Sequence, residues 1–302
     1  MAAAVARTGL LHGRDDLLYK GFDEGAIART GTSGRPMNHS SVANLLEISG
    51  GSALVLATVH AVTFAVGRRV GRYNVADVAW GLGFVAVAAV AATLGHGDAT
   101  RRWLLLTLVA VWGLRLSWYI QRKTVGRGED PRYAALLRNA TPAQVVRKVS
   151  VSQGVIGWFV SIPLQLSAVG GPTPRPLIAV PVVGVGVWAV GAAFEAVGDR
   201  QLSAFKSDPA SRGRVMDRGL WAWTRHPNYF GDAAVWWGLW LITITGWLPL
   251  ITVGSPLLMT HFLMHRTGAR LTEKMMAGRP GFAEYTARTA FFFPRPPRKA
   301  HR

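Results

Sequence analysis

Residues 233–264 read AAVWWGLWLITITGWLPLITVGSPLLMTHFLM, and the only titratable side chain among them is that of His261. As one helix these 32 residues would extend about 48 Å, whereas about 20 residues cross the ~30 Å hydrocarbon core of a bilayer. The residues GWLP at 246–249 form a turn signal near the middle of the stretch. The stretch therefore predicts two membrane helices, at residues 228–245 and 248–264, joined by a tight hairpin.

Five more apolar stretches of similar length lie upstream. They are residues 50–66, 75–95, 103–120, 151–174 and 176–194. Asp77 and Arg115 are the only Asp, Glu, Lys or Arg residues in them. Since each stretch is long enough to cross a bilayer as a helix, the sequence predicts an all-α, polytopic membrane protein with about seven transmembrane helices.

The composition excludes several classes of protein. Of the 302 residues, 50% are hydrophobic and 17% are charged, against roughly 25% charged in a soluble domain. The chain has no cysteine, which excludes disulfides, a thiolate nucleophile and Cys-ligated metals. The net charge of +18 would suit nucleic acid, but the Lys and Arg residues lie between the apolar stretches rather than in one patch. We therefore expect membrane lipids, and no nucleic acid, as partners.

The distribution of basic residues predicts how the chain is oriented. Segments 67–74, 121–150, 198–228 and 265–302 contain 3, 7, 6 and 9 Lys and Arg residues, 25 in total. The alternate connections, at 95–102, at 169–175 and in the hairpin, contain 2, 1 and 0. Positive residues remain on the cytoplasmic side of a membrane. We therefore expect the N-terminus outside and the C-terminus in the cytoplasm.

The sequence divides into three parts. Residues 1–49 are expected to form an N-terminal segment outside the membrane, of which residues 1–36 are polar and expected to be disordered. They contain no apolar core of a signal peptide. Residues 50–297 form the transmembrane domain, and residues 298–302 form a basic tail.

Chemically versatile side chains cluster where the helix at 228–245 begins. The sequence GLWAWTRHPNYFGD at 219–232 combines a cation, an imidazole, an amide and a phenol. Pro227 can begin the helix because the first turn needs no N–H there, and a helix N-terminus with basic neighbours favours phosphate. The alternative is an interfacial belt, in which aromatic rings lie at headgroup level while Arg225 and His226 contact lipid phosphates.

The sequence RHPNYFG at 225–231, followed by WWG at 236–238, resembles the signature of the DUF1295 family, relatives of the steroid 5α-reductases. Residues 77–81, 112–116, 122–133, 195–206 and 273–294 agree with this resemblance, which covers about residues 50–297. It implies a seven-helix membrane fold that holds NADPH in a cytoplasm-facing cavity. The implied reaction reduces an activated C=C bond of a lipid-like enone, of steroid, polyprenoid or fatty-acyl type.

Two other functions stay open. The Arg225-His226-Pro227-x-Tyr229 core also resembles the isoprenylcysteine and phospholipid methyltransferases, which bind S-adenosylmethionine, so a membrane methyltransferase is the leading alternative. A lipid-binding or structural membrane protein without catalysis is the third possibility. Such a protein would not need so many polar side chains on one side of the bilayer.

The resemblance implies that Asp77 and Tyr119 polarise the carbonyl group of the substrate. A neutral phenol can donate a hydrogen bond to a developing enolate oxygen, and a carboxyl group can hold that phenol in position. A carboxylate at membrane depth is costly unless it is paired or solvated, so Asp77 marks a functional or a buried polar site. Without catalysis, Tyr119 would be an interfacial anchor, and Asp77 a helix cap or the partner of Arg115.

The expected cofactor contacts come from several parts of the chain. They are Arg115, Arg122, Arg132, Glu195, Asp199, Trp223, Arg225, His226, Asn228 and Glu273. By resemblance the arginines at 122, 132 and 225 contact phosphates. Arg115 either neutralises Asp77 or faces a phosphate.

Among the other expected contacts, Asn228 suits a carboxamide, and His226 a phosphate or a ribose. Glu195 and Asp199 share a helical face and could bind ribose or simply balance nearby arginines. At two of the positions the steroid 5α-reductases have another residue, an amide at Glu195 and a tyrosine at Glu273, which leaves the role of Glu195 open. No metal is expected, because His226 has no second ligand at helical spacing.

Overall fold

The computed structural model describes residues 38–266 and 268–297, and the regular structure in those ranges is helical. The predictions for residues 1–37 and for the tail at 298–302 lie outside the described residues. The α-helices are α1 (His39–Val70), α2 (Val75–Leu94), α3 (Ala99–Thr124), α4 (Pro131–Leu136), α5 (Pro142–Val145), α6 (Ser152–Val160), α7 (Ile162–Ser167), α8 (Ala179–Ser207), α9 (Pro227–Ile242), α10 (Gly254–His261), α11 (Ala269–Met276) and α12 (Phe282–Arg288). The remaining helical turns are 3₁₀ turns at Arg175–Leu177, Pro209–Ser211, Gly219–Ala222 and Leu248–Val253, and π turns at Val146–Val151 and Phe262–Arg266. The predicted all-α class is confirmed.

Within the residues that the structure describes, five helical segments are long and apolar enough to cross a membrane. They are His39–Val70, Val75–Leu94, Ala99–Thr124, Arg175–Ser207 and Leu248–Met276. They contain the predicted first, second, third, fifth and seventh spans, so the chain is a multi-pass membrane protein. The predicted sixth span corresponds to α9, which has 16 residues, and the predicted fourth span is broken into α6 and α7. The count of seven crossings stays a prediction.

The predicted fourth span, at 151–174, is interrupted at Ser161, where α6 ends and α7 begins. Pro163 in the first turn of α7 has no N–H with which to continue the helical hydrogen bonds. The side chain of Gln165 instead donates to the backbone oxygen of Trp158 at 3.2 Å and to the hydroxyl of Ser161 at 2.9 Å. Because Gln165 and Ser161 are both buried, the polar groups of the break are satisfied inside the protein.

Helix α1 begins earlier than expected. Asn38 caps its N-terminus by accepting a hydrogen bond from the backbone N–H of Ser41 at 2.9 Å. The predicted domain boundary at residue 50 therefore falls inside α1. The polar residues before that boundary contribute to packing, since buried Asn44 donates to the backbone oxygen of Leu94 and accepts from the N–H of His96.

Helices α8 and α9 pack closely through facing glycines. A Cβ atom on Gly191 would lie 2.6 Å from the backbone oxygen of Gly231, and one on Gly184 would lie 2.8 Å from that of Gly238. Glycine at these positions allows the two backbones to approach each other, as is common between membrane helices. The close approach brings the polar residues of the two helices together near the start of α9.

The centre of the bundle is apolar and aromatic. The rings of Phe84, Trp112 and Trp236 are each at most 2% exposed. The centroid of Phe84 lies 4.4 Å from that of Trp236 and 5.9 Å from that of Trp112, at tilted angles that suit aromatic pairs. This cluster fixes α2, α3 and α9 relative to one another and so positions the polar groups at their ends.

The connections between the helices gather at two opposite ends. At one end, Glu129 accepts hydrogen bonds from the backbone N–H groups of Tyr73 and Asn74, at 2.5 and 2.9 Å. At the other end, buried Arg101 donates to the backbone oxygens of Ser167, Gly170 and Gly171. The basic connections thus lie together at the first end, as their alternation along the sequence predicts. Which end faces the cytoplasm stays a prediction.

Candidate functional site

A cavity of about 490 Å³ lies at the end where the basic connections gather. Its walls come from the ends of α3 and α8, the loop that follows α8, the start of α9, and α11 with α12. Its lining includes seven basic side chains and two acidic ones. The basic ones are Lys123, Arg132, Lys206, Arg212, Arg214, Arg225 and Arg279, and the acidic ones are Asp130 and Glu273. A volume within the roughly 300–1,000 Å³ of ligand pockets and an excess of positive charge indicate a site for an anionic small molecule.

The loop between α8 and α9 is held against α8 by specific hydrogen bonds. Gly219 has a φ of 61°, a left-handed conformation that suits glycine, and lies on the side chain of Gln201. Gln201 accepts a hydrogen bond from the backbone N–H of Leu220 at 3.0 Å. The indole N–H of Trp221 donates to the backbone oxygen of Gly198, and the hydroxyl of Tyr285 donates to that of Trp221 at 2.7 Å. These bonds give the cavity a fixed wall.

Arg225 and His226 share one acidic partner in the cavity. Nε of Arg225 lies 2.9 Å, and Nε2 of His226 lies 3.1 Å, from Oε1 of Glu273. The strand-like bridge between Thr224 and Ala290 positions both residues. Burial lowers the pKa of His226, although the hydrogen bond to Glu273 acts in the opposite direction. The three expected cofactor contacts therefore lie together and line the cavity.

Asp77 lies beside the cavity, and its partners differ from those expected. Its carboxylate accepts a hydrogen bond of 2.7 Å from the hydroxyl of Tyr133 and forms a salt bridge of 3.0 Å with Arg132. Neither Tyr119 nor Arg115, the expected partners, makes these contacts. The reason is that Asp130 caps α4 by accepting from the backbone N–H of Arg132, and α4 then lies against the start of α2.

The groups around Asp77 influence one another electrostatically. Burial, followed by the charge of Asp77, raises the pKa of the Tyr133 hydroxyl. Burial would lower the pKa of Arg132, but the hydrogen bond and charge of Asp130 and the charge of Asp77 raise it. Burial would raise the pKa of Asp130, but its bonds to Arg132 lower it. Tyr133 therefore remains a neutral phenol, while Arg132 remains a cation at the cavity wall.

Arg115 pairs with the two acids of α8. It forms salt bridges with Glu195 and with Asp199, the latter at 3.0 Å. Asp199 also accepts a hydrogen bond of 3.3 Å from the side-chain amide of Asn228, which lines the cavity. The question that the sequence left open is thereby answered, because Arg115 neutralises the acids of α8 and not Asp77. Tyr119 lies beside Asp199, 3.5 Å from the hydroxyl of Ser203.

Five of the ten expected cofactor contacts do not line the cavity. Three of them, Arg115, Glu195 and Asp199, form the ion pairs described above, and the other two are Arg122 and Trp223. Arg122 is exposed, and its guanidinium lies 4.9 Å from the ring centroid of Trp118. Trp223 is 44% exposed, and its backbone oxygen accepts a hydrogen bond from Arg295. Neither residue belongs to the lining of the cavity.

Several lining residues were not identified from the sequence. They include Lys123, Arg212, Arg214, Tyr229 and Arg279. The sequence Arg212-Gly213-Arg214 and the tyrosine of the 225–231 motif were visible signals, but basic residues in loops of a membrane protein are too common to select among. Within the described ranges, no three or more His, Cys, Asp or Glu side chains are grouped so that they could hold a metal ion.

Comparison with known proteins gives a family and no closer relative. The model of the DUF1295 family, described as a protein of unknown function, matches residues 63–289. No curated protein and no solved structure matches the chain significantly. The matched range begins inside α1 and includes α2 to α12 and all the lining residues of the cavity.

Proposed function

We propose that this chain, which belongs to the DUF1295 family, is a membrane-embedded reductase that uses NADPH to reduce a C=C bond of a lipid-like enone. The observation that carries the proposal is the cavity at the end of a membrane bundle, with seven basic and two acidic side chains in its lining. Such a site suits a cofactor with several phosphate groups. The bilayer around the bundle suits an apolar substrate of steroid, polyprenoid or fatty-acyl type.

The residues of the cavity fit NADPH. Arginines bind phosphates through two parallel N–H groups, and their surplus over the two acids would accommodate a 2′-phosphate. The oxygen Oδ1 of Asn228 is buried and has no hydrogen-bond partner in the described structure. A carboxamide N–H could donate to this oxygen. Asn228 would therefore hold the nicotinamide end, and Arg212, Arg214 and Arg225 the phosphates.

The charge of the cavity favours NADPH over S-adenosylmethionine. The methyl donor carries a positive sulfonium and an ammonium group against one carboxylate, so a lining dominated by cations would repel it. NADPH is strongly anionic, and the same lining would attract it. The methyltransferase function thus has the sequence motif in its favour and the charge of the cavity against it.

In this proposal, bound NADPH supplies a hydride, and the protein supplies binding and proton chemistry. A hydrogen-bond donor is needed for the carbonyl oxygen of the enone as negative charge develops there. Tyr229 lines the cavity, and its hydroxyl interacts with Thr272. Tyr133 already donates to Asp77, and Tyr119 does not line the cavity. Tyr229 is therefore the preferred donor, and Tyr119, expected from the resemblance, is the alternative.

The cofactor is tested by thermal unfolding of detergent-purified protein with NADPH, NADH or S-adenosylmethionine. A ligand that binds the folded state stabilises it by about 2.7 kcal/mol at 100 times its Kd. We expect NADPH to raise the unfolding temperature most, NADH less and S-adenosylmethionine not at all. Stabilisation by S-adenosylmethionine alone would identify a methyltransferase. No stabilisation by any of the three would contradict the proposed cofactor site.

A further inference from the structure

Three acids of the bundle face a single arginine. Glu195 and Asp199 of α8 both form salt bridges with Arg115. Asp232 of α9 lies close enough to interact electrostatically with Arg115, Asp199 and Glu195. These acids meet because the backbone of α9 at Gly231 packs directly on Glu195. If all of them were ionised, the cluster would have a net charge of −2.

Other side chains near the cluster neutralise only part of its net negative charge. The charged and titratable side chains that face the cluster are Arg115 and Tyr119 of α3, Lys123 at the end of α3, Asp199 of α8 and Tyr229 of α9. Lys123 acts on Asp199 from the cavity. Arg115 and Lys123 together balance two of the acids. One negative charge is left over.

The excess charge lies at Glu195 and Asp232. Glu195 is 2% exposed and Asp232 is 7% exposed. One carboxylate oxygen of each, Oε2 of Glu195 and Oδ1 of Asp232, is buried without a hydrogen-bond partner in the described structure. An ionised carboxylate in such a place is strongly destabilised, and a buried acid usually binds a proton instead. Two carboxyl groups whose charges repel each other typically hold one proton between them.

We propose that Glu195 and Asp232 share one proton, so that a proton-binding site is buried between α8 and α9. The shared proton satisfies the unpartnered oxygens and leaves one negative charge, which Arg115 stabilises. Asp199, which pairs with the same Arg115, accepts a hydrogen bond from Asn228 in the lining of the cavity, so the proton is buried behind this part of the cavity wall. When it leaves, the O–H bond breaks, and the second carboxylate remains beside Arg115. The site is thus a buried acid behind the cavity wall.

The test is infrared spectroscopy of the full chain in detergent at neutral pH, without nucleotide. A protonated carboxyl group has a C=O stretching band that is separate from carboxylate bands and shifts in heavy water. We expect wild type to show this band and both Glu195→Gln and Asp232→Asn to lose it, because the two acids that then remain in the cluster are balanced by Arg115 and Lys123 and can both be ionised. Asp208→Asn, at an exposed carboxylate, is the control and should keep the band.

Three outcomes would overturn the proposal. They are no protonated-carboxyl band in wild type, a band that survives both substitutions, and a band that disappears when sodium replaces choline in the buffer. The last outcome would show that the pair binds a cation. None of these measurements depends on NADPH, so failure of the proposed reductase function would leave the result intact.

Thermal unfolding gives a second measurement. Glu195→Gln and Asp232→Asn each remove part of an excess charge, so we expect an unfolding temperature equal to or above that of wild type. Arg115→Gln removes the only arginine that the structure pairs with Glu195 and should lower the unfolding temperature by several degrees. If the unfolding temperature falls by a similar amount in all three variants, Glu195 and Asp232 are both ionised and both stabilised by Arg115. This result would contradict a shared proton.

Discussion

The hydroxyl of Tyr133 donates a hydrogen bond of 2.7 Å to the carboxylate of Asp77. This bond connects the start of α2 to α4, and Gln153 extends it by donating to the same hydroxyl at 3.1 Å. The phenol that Asp77 holds here is Tyr133 and not Tyr119, while the catalytic role expected of Asp77 stays a prediction. Asp77 therefore contributes to the structure of the cavity wall, together with Arg132.

Removal of the Tyr133 hydroxyl should destabilise the protein. Tyr133→Phe leaves a part-buried carboxylate without one of its donors, which costs about 1–3 kcal/mol. Denaturation in detergent would measure the loss. Tyr73→Phe is the matched control, since Tyr73 stacks on Phe64 and its hydroxyl makes no hydrogen bond within the described residues. Equal stabilities of the two variants would contradict the assignment.

Arg225→Ala and Asn228→Ala should weaken NADPH binding while the protein stays folded. Each variant loses a charge-assisted or amide hydrogen bond, worth roughly 1–3 kcal/mol. Titration of the purified variants with NADPH measures the effect. Arg69→Ala, at an exposed residue near the end of α1, should bind as wild type does. If Arg225→Ala and Asn228→Ala also bind normally, these residues form an interfacial belt and no cofactor site.

Enzyme kinetics can show whether Tyr229 or Tyr119 donates the hydrogen bond to the substrate carbonyl. Tyr229→Phe should lower kcat by about 10²–10³-fold, as expected when an oxyanion donor is lost, with little change in NADPH affinity. Tyr119→Phe should stay within a few-fold of wild type, because its hydroxyl lies outside the cavity lining. A general enone probe and NADPH oxidation provide the assay. The reverse result would restore the role that the family resemblance implies for Tyr119.

The stability of the protein should depend on pH through His226. Burial lowers the pKa of this imidazole in the folded protein, whereas in the unfolded chain it is about 6.5. Below that pH the unfolded chain binds a proton that the folded protein does not, so the free energy of unfolding falls as the pH falls. Melting temperatures between pH 5 and pH 8 should therefore vary less in His226→Asn. The control is His96→Asn, at an exposed histidine. If the melting temperature changes with pH equally in His226→Asn and in His96→Asn, this explanation is wrong.

The orientation in the membrane can be tested with reporters. The distribution of Lys and Arg predicts that a reporter fused after Arg302 reports the cytoplasm. A reporter inserted between Gly170 and Gly171, in the connection that contacts Arg101, should report the opposite side. If both reporters are on the same side, the orientation and the number of crossings have to be revised.

Much of the fold follows from the lengths of the apolar stretches, because a bilayer sets a minimum helix length whatever the detailed sequence. Helix breaks are harder to predict. The interruption at Ser161 depends on whether Gln165 can satisfy the freed backbone groups, and this depends on tertiary packing. For the same reason the sequence alone gave no distinction between a continuous fourth span and a broken one.

The site residues that lie close together in the sequence could be predicted from it. Arg225, His226 and Asn228 lie within one motif at a helix start, and the structure places them on one cavity. Ion pairing between distant helices was not predictable, since it depends on helix rotation and on how loops fold. From the sequence, Arg115 could neutralise Asp77 or face a phosphate, and its pairing with Glu195 and Asp199 of α8 was not among these alternatives.

The way in which Arg101 is bonded has a consequence for the protein as a whole. Within one buried corner, its guanidinium donates charge-assisted hydrogen bonds of 2.8–3.4 Å to uncharged carbonyl and hydroxyl oxygens of residues 167–173. At the cavity end, hydrogen bonds to the backbone are combined with ion pairs between side chains such as Arg132 with Asp77 and Arg225 with Glu273. The hydrogen bonds of Arg101 thus hold the helices together at the end opposite the cavity, whatever molecule the cavity binds. Residues that line the cavity can therefore be substituted during evolution, and the substrate can change, while the hydrogen bonds of Arg101 keep the opposite end of the bundle folded.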